Sequence, residues 1–282
     1  HRARQQAIRW EFHWPWILAA LLATWAMYCV LIWGWRQVVV GWREHLGGLD
    51  AARIWAISNL GKYIPGKVWA IAGMGMMAQR QGVSATAAMG SAVIMQLVAL
   101  ATGAMIALAL VGTEVLDRLL GNWGAIGALA LAVIALLAAI SLASPALTAR
   151  IAYILRRPEG IRPVEPGALT AGLAANFTSW CGYGLSLQLL ARGTLHDVSL
   201  SWSTATGSFA ASYIVGYLAL LLPGGLGVRE ILLADLLKGS IGIGPAAALA
   251  IASRVATTLN DLGAALFLLP FRSKSRDLSR AT

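Results

Sequence analysis

Long apolar runs with few charges dominate the pattern of hydrophobic and polar positions along this chain. A helix needs roughly 20 apolar residues to cross the hydrocarbon core of a bilayer. Five runs approach or exceed that length, and they cover residues 16–35, 86–112, 123–143, 168–191 and 245–271. The pattern therefore predicts an all-α fold, a polytopic transmembrane helical bundle.

Two further apolar segments are each interrupted by a Pro-Gly pair. These breaks are Pro65-Gly66 and Pro223-Gly224-Gly225. Proline lacks an N–H group and stops a helix, and glycine accepts almost any backbone angle. Hydrocarbon offers no water to the freed backbone groups, so such a break needs surrounding protein or a wet cavity. Broken helices at corresponding places in two halves of a chain indicate a transporter site.

The order of the segments predicts two repeats. The breaks are 158 positions apart, and Thr24–Tyr28 resembles Ser179–Tyr183 at an offset of 155. We predict one membrane domain, 1–282, with these parts: a first repeat 16–112, a linking span 123–143, a connector 144–167 and a second repeat 168–271. Chance similarity among Ala/Leu/Gly-rich helices is the alternative explanation of these matches.

Positive charge predicts the topology. If each broken segment is a re-entrant hairpin, the two repeats are inverted, and 14 of the 22 Lys and Arg residues fall on one side of the membrane. An excess of Lys and Arg marks the cytoplasmic side, so the connector 144–167 is expected there. The N-terminus is then outside, which leads us to expect a further upstream span. The alternative makes both broken segments full crossings, with loops 36–52 and 144–167 on opposite faces.

Composition narrows the class of protein further. The chain is 58% hydrophobic and 12% charged, and its net charge is +10. Basic loops that contact anionic lipid explain this charge better than a nucleic-acid partner does. The four histidines show no metal-ligand spacing, so we expect no metal and no cofactor.

Cations flank the first break. Lys62 and Lys67 lie in strongly apolar sequence beside Tyr63, where two ammonium groups would suit an anionic lipid headgroup. Alternatively, both lysines extend to the membrane interface, where Tyr63 would also be common.

Ionisable residues also follow the second break and lie in the last span. Arg229 and Glu230 belong to the first turns of a new helix, and a guanidinium binds phosphate oxygens in pairs. Arg254 and Asp261 are two helical turns apart and share a face, with Asn260 beside them. Such groups in a span indicate a functional site, although a structural ion pair explains them equally well.

The quoted segments resemble a known family. Asn59-Leu60-Gly61-Lys62-Tyr63-Ile64-Pro65-Gly66-Lys67-Val68-Trp69 and the later Pro223, Gly225, Leu226, Gly227, Arg229 and Glu230 are similar to motifs of the lysylphosphatidylglycerol synthase transmembrane region family. The resemblance covers roughly 16–271. It implies a bacterial inner (plasma) membrane protein, a stand-alone member without a synthase domain, that moves lipids between leaflets.

The sequence thus predicts a flippase for a phosphate-bearing phospholipid, glycolipid or polyprenyl-phosphate-linked lipid. Lys62, Tyr63, Lys67, Arg229 and Arg254 would bind the headgroup. Glu230, Asn260 and Asp261 would act in coupling, with Arg254, Asp261 and Glu230 in ion pairs that switch. The expected partners are membrane lipids and a lipid-modifying enzyme or glycosyltransferase. The alternative function is a non-transporting subunit that scaffolds such an enzyme. The chain has few acidic residues for general acid–base work, so we do not expect an enzyme.

Overall fold

The computed structural model describes residues 11–65, 68–121, 123–146, 150, 163–196, 198–219 and 222–271. Every regular element in this part of the chain is helical. Three of the helices are long and apolar enough to cross a membrane. The predicted all-α membrane fold is confirmed.

Both halves of the chain have the same order of elements: a long helix, a short helix, a 3₁₀ turn, a short helix and a long helix. The first half contains α1 (Trp14–Gly41), α2 (Gly48–Asn59), the first 3₁₀ turn (Leu60–Tyr63), α3 (Val68–Gln79) and α4 (Ala85–Val111). The second contains α7 (Pro166–Thr194), α8 (Trp202–Leu218), the second 3₁₀ turn (Pro223–Gly225), α9 (Val228–Ile241) and α10 (Ile243–Leu268). Between them lie α5 (Thr113–Leu120) and α6 (Gly124–Ala143).

Helices α2 and α3 form the first hairpin, and α8 and α9 form the second, each with its 3₁₀ turn at the tip. The four helices have 12, 12, 17 and 14 residues. At 1.5 Å per residue they measure about 18 to 26 Å, less than the roughly 30 Å of the hydrocarbon core. The two tips contact each other.

Polar residues of the long helices face inward and apolar residues face outward. Helices α7 and α10 are 29 and 26 residues long but less apolar than α1, α4 and α6. Their polar side chains are buried in the protein, as Asn176 and Asp261 are, while Phe177, Leu259 and Leu266 are exposed. Large apolar side chains exposed on all sides are typical of a surface that contacts lipid.

The equivalent long helices α1 and α7 run antiparallel. Three contacts follow their seam: His13 with Gly193, Thr24 with Ser186, and Gly41 with Glu165. As the first number of each pair rises, the second falls, which only antiparallel helices allow. Two halves that are built alike and packed this way have opposite directions, as an inverted repeat requires.

The ends of the bundle bring together chain segments that are far apart in sequence. At one end, the N–H of Glu165 donates to the carbonyl of Gly41 at 3.2 Å, so loop 36–52 begins beside the connector 144–167. This contact contradicts the alternative that places those two loops on opposite faces. At the other end Glu11 pairs with His196, and this hydrogen bond lowers the pKa of the Glu11 carboxyl.

Some predicted features lie outside the described residues. They are Gly66, Lys67, most of the connector 144–167 and the tail after residue 271.

Candidate functional site

A cavity of about 230 Å³ lies between the two halves, at the tips of both hairpins. Its walls come from the long helices α1, α4, α7 and α10, from the hairpins and from both tips. Six residues predicted from the sequence line it: Lys62, Tyr63, Gly224, Arg229, Arg254 and Asp261. Gly224 of the second break and ionisable residues from beside both breaks therefore line one cavity.

Asp261 is the centre of a hydrogen-bond network at the first tip. Its side chain is 1% exposed and forms an ion pair with the Nζ of Lys62 at 2.7 Å. The hydroxyl of Tyr63 donates to Asp261 Oδ2 at 2.6 Å, and the hydroxyl of Tyr28 and the amide Nδ2 of Asn59 donate to Oδ1 at 2.7 and 3.0 Å. One carboxylate of the second half thus holds α1, α2 and the first tip.

Arg254 connects α10 to the second tip, as Asp261 connects it to the first. Its Nη1 donates to the carbonyl of Gly224 at 2.9 Å, and its Nε lies 3.6 Å from Glu230 Oε1. Glu230 in turn accepts the N–H of Gly227 at 2.7 Å, which satisfies a backbone donor at the start of α9. Arg254 therefore joins α10 to the second break and to the first turn of α9.

These pairs correct the predicted partnership of Arg254 with Asp261. The two residues do share the face of α10 that lines the cavity, but each is paired with a residue of a different hairpin tip. Arg254 of α10 instead pairs with Glu230 of α9. The reason is geometric: side chains two turns apart on one helix lie about 10 Å apart, whereas the tips come into direct contact.

Arg229 is a buried cation without a carboxylate partner among the described residues. It is 6% exposed, and its guanidinium carbon lies 4.9 and 5.6 Å from the ring centroids of Phe209 and Tyr213. Its Nη2 has no hydrogen-bond partner in the described part of the chain. A buried donor without a partner is costly, so this guanidinium is prepared to bind an anion.

The protein-family model of the lysylphosphatidylglycerol synthase TM region matches residues 5–260 of this chain. The chain belongs to this family. No curated protein matches it by sequence. Both motif segments quoted above, 59–69 and 223–230, lie within the matched range.

In this lysylphosphatidylglycerol synthase TM region protein, the other predicted residues that the structure describes do not line the cavity. Pro65 is exposed, and its carbonyl accepts the indole N–H of Trp69 at 3.0 Å. Pro223 and Gly225 shape the second tip. Asn260 is buried on another face of α10, where its Nδ2 has no partner among the described residues.

Sequence reasoning missed several residues of the cavity wall. Tyr28 and Tyr183 both line it, and their ring centroids are 6.5 Å apart. They end the two similar segments Thr24–Tyr28 and Ser179–Tyr183, so the repeat contained the signal. Gln96, which lies 158 positions before Arg254, also faces the cavity.

Aromatic residues form much of the wall in this family member. Five of the six tyrosines of the chain line the cavity, and the sixth, Tyr153, lies outside the described residues. Among the described residues, the charged groups of the wall are three cations and one carboxylate, and that carboxylate is already paired with Lys62. The site is therefore suited to hold an anion against aromatic surfaces.

No group of three or more His, Cys, Asp or Glu side chains is placed to hold a metal ion in the part of the chain that the structure describes.

Proposed function

We propose that this protein is a lipid flippase, a multi-pass protein of a bacterial inner membrane. It moves a phosphate-bearing phospholipid, glycolipid or polyprenyl-phosphate-linked lipid between leaflets. The observation that carries the proposal is the position of Arg229, a buried guanidinium that lines the cavity between the halves and has no carboxylate partner among the described residues. Guanidinium groups bind phosphate oxygens in pairs and shed water more readily than ammonium groups.

The role of Lys62 changes in this proposal. Lys62 and Asp261 neutralise each other at 2.7 Å, so the headgroup phosphate binds first to Arg229 and Arg254. Lys62 holds the first tip in place while the cavity is empty. Membrane lipids are the proposed partners.

Exposed apolar residues beside the tips support a lipid cargo. Ile64 and Val68 flank the first break, and Leu226 and Ile231 flank the second; all four are at least half exposed. Charged groups inside the cavity thus lie close to apolar surface outside it. In this arrangement the headgroup enters the cavity while its acyl or prenyl chains stay in the bilayer.

The two hairpins are re-entrant in this proposal. Four helices shorter than the hydrocarbon core and two tips in contact with each other are the observations that support it. Each hairpin closes one half of the path, and the antiparallel packing of α1 and α7 relates the halves as an inverted repeat does.

Translocation of a fluorescent phosphatidylglycerol in proteoliposomes tests the proposal, with dithionite quenching as the measure of outer-leaflet lipid. We expect the wild type to exceed protein-free vesicles and Arg229→Gln to lose at least tenfold in rate. Lys238→Gln is the matched control, because Lys238 is an exposed cation on the same helix. It should translocate lipid like the wild type.

Three results would contradict parts of the proposal. Equal rates of lipid translocation for Arg229→Gln and Lys238→Gln would contradict the assignment of Arg229 to headgroup binding. A wild type no faster than empty vesicles, which also co-purifies with a stoichiometric enzyme, would favour the scaffold function instead. Appearance of a modified lipid, detected by chromatography after incubation with the pure protein, would show an enzyme.

A further inference from the structure

Two guanidinium groups of the cavity keep unused hydrogen-bonding capacity. The Nη2 atoms of Arg229 and Arg254 are both buried, and neither has a partner among the described residues. Both residues line the cavity. Two planar donors that face one space are arranged to share the oxygens of a single phosphate.

The one carboxylate among the described residues of the cavity wall, in contrast, is fully engaged. Asp261 accepts hydrogen bonds from Tyr28, Asn59 and Tyr63 and pairs with Lys62. Glu230, which is not part of the described wall, accepts the backbone N–H of Gly227 through Oε2, and its Oε1 lies 3.6 Å from Arg254 Nε without a hydrogen bond to a described residue. Among the described residues that line the cavity, no carboxylate remains for an ammonium group of a ligand.

Aromatic rings could bind an amine through their faces, and the protein's own cations lie over three of the rings of the wall. Arg229 lies over Phe209 and Tyr213, and both Lys62 and Arg254 lie over Tyr63. An incoming ammonium would also approach three positive charges at short range. The cavity therefore disfavours an amine twice, by repulsion and by the lack of a free carboxylate on its described wall.

The cavity wall also contains uncharged side chains that can form hydrogen bonds. Gln96, Tyr183 and Tyr213 line the cavity, and their side chains make no hydrogen bond with another described residue. An amide and two phenol hydroxyls both donate and accept. They are suited to the hydroxyl groups of a polyol, which also need both.

We propose that the cavity selects lipids whose phosphodiester joins an uncharged, hydroxyl-bearing group such as glycerol or a sugar, and rejects headgroups that carry an amine. The phosphate binds Arg229 and Arg254, and the hydroxyl groups bind Gln96, Tyr183 and Tyr213. This inference rests on the proposed function, because it assigns the substrate class of the same site.

Binding of short-chain lipids to the purified protein tests the selectivity without any transport. Trp35, Trp55 and Trp180 line the cavity, so tryptophan fluorescence reports occupancy. We expect dihexanoyl phosphatidylglycerol to bind at least tenfold more tightly than dihexanoyl phosphatidylethanolamine. Glycerol 1-phosphate, which lacks acyl chains, should bind more weakly than phosphatidylglycerol. Equal affinity for the phosphatidylethanolamine, or equal affinity for free glycerol phosphate, would overturn the proposal.

Conservative variants separate the two parts of the site. Tyr183→Phe should weaken binding of phosphatidylglycerol by about two- to tenfold and leave phosphatidic acid, which has no polyol, unchanged. Arg229→Gln should weaken binding of both lipids, and Lys238→Gln should weaken neither. An equal loss of both lipids in Tyr183→Phe would contradict the assigned hydroxyl contacts. If the protein binds phosphatidylglycerol selectively but does not translocate lipid, the flippase proposal is contradicted and the proposed selectivity of the cavity is still supported.

Discussion

Asp261 shows how a carboxylate can stay inside a membrane protein. Four donors from three other elements surround it, and its side chain is 1% exposed. A buried charge is tolerated only when it is both paired and hydrogen-bonded, and Asp261 satisfies both conditions. Its principal cation, Lys62, is 199 positions away in the sequence.

Replacement of Asp261 by asparagine should reduce the free energy of unfolding by about 2–3 kcal/mol. The loss is smaller than for a fully buried ion pair because the side chain of Lys62 is 32% exposed and can reach solvent. Unfolding in mixed micelles by increasing the mole fraction of SDS measures this change. Asp235→Asn, which removes a carboxylate from the exposed pair with Lys238, is the control and should have little effect. Equal effects of the two substitutions would contradict the role of Asp261 as the centre of the network.

For individual residues, the sequence predicted which ones line the cavity better than it predicted which ion pairs they form. Lys62, Arg229, Arg254 and Asp261 were recognisable because ionisable groups in apolar sequence are unusual. Helical spacing favoured Arg254 with Asp261, but the tertiary contact between the tips decides the pairing. No local pattern contains that contact.

Among the elements, the second 3₁₀ turn depends on glycine at one position for two reasons. Gly225 has a positive φ of 69°, and a Cβ there would lie 2.5 Å from the carbonyl oxygen of Gly216 on α8. The tip can approach α8 this closely only without a side chain. Gly225 therefore determines how closely the second tip packs against α8.

Gly225→Ala should lower the thermal stability of the protein more than Gly227→Ala does. Both residues have positive φ, so both substitutions strain the backbone by about 1–2 kcal/mol. Only at Gly225 does the added Cβ also meet backbone atoms, because nothing lies within 4 Å of a Cβ at Gly227. Melting temperatures in detergent test this order. A larger loss for Gly227→Ala would mean that the close approach at Gly225 is unimportant.

The positions of the helices were largely predictable, since Pro-Gly breaks and apolar runs mark their ends. The span predicted at 86–112 is α4 at Ala85–Val111, and that at 123–143 is α6 at Gly124–Ala143. The sequence did not divide 192–244 into α8 and α9 with their separate lengths, because apolar residues continue up to the second break. The structure shows that α8 begins after Ser201, whose hydroxyl accepts the N–H of Thr204 at 3.1 Å, and ends at Leu218, ahead of the break.

The whole molecule is organised around the seam between α1 and α7. Thr24 and Ser186 have their hydroxyl oxygens 2.8 Å apart across this seam. Small residues such as Gly34 and Gly41 allow the two helices to approach closely, since a Cβ at either would lie within 2.6 Å of an alanine Cβ on α7.

Thr24→Cys combined with Ser186→Cys should form a disulfide on mild oxidation, in a background where Cys29 and Cys181 are replaced by serine. The close hydroxyl groups place the two Cβ atoms within disulfide reach. A shift in electrophoretic mobility that reverses with reductant measures the bond. Thr24→Cys with Ser179→Cys is the control, because Ser179 lies about two turns away on α7, and it should not cross-link. Cross-linking of the control alone would contradict the seam.

Labelling from the two sides of the membrane should place His45→Cys and Glu165→Cys on one side and Ser203→Cys on the other. All three positions are exposed, and the contact of Gly41 with Glu165 brings the first two to the same end of the bundle. A membrane-impermeant maleimide applied to vesicles of known orientation gives the answer. Opposite sides for positions 45 and 165 would mean that the broken segments are full crossings.

The charges around the cavity have an electrical consequence. Lys62, Arg229 and Arg254 carry three positive charges, and Asp261 and Glu230 carry two negative ones, so the described site has one positive charge when empty. A headgroup with one negative charge makes the occupied site neutral. Reorientation of the empty site would then move one charge through the membrane potential, at about 2.3 kcal/mol per 100 mV, whereas reorientation of the loaded site would move none. In the proposed flippase, voltage should therefore act on the return step of the cycle and leave the step that carries the lipid unaffected.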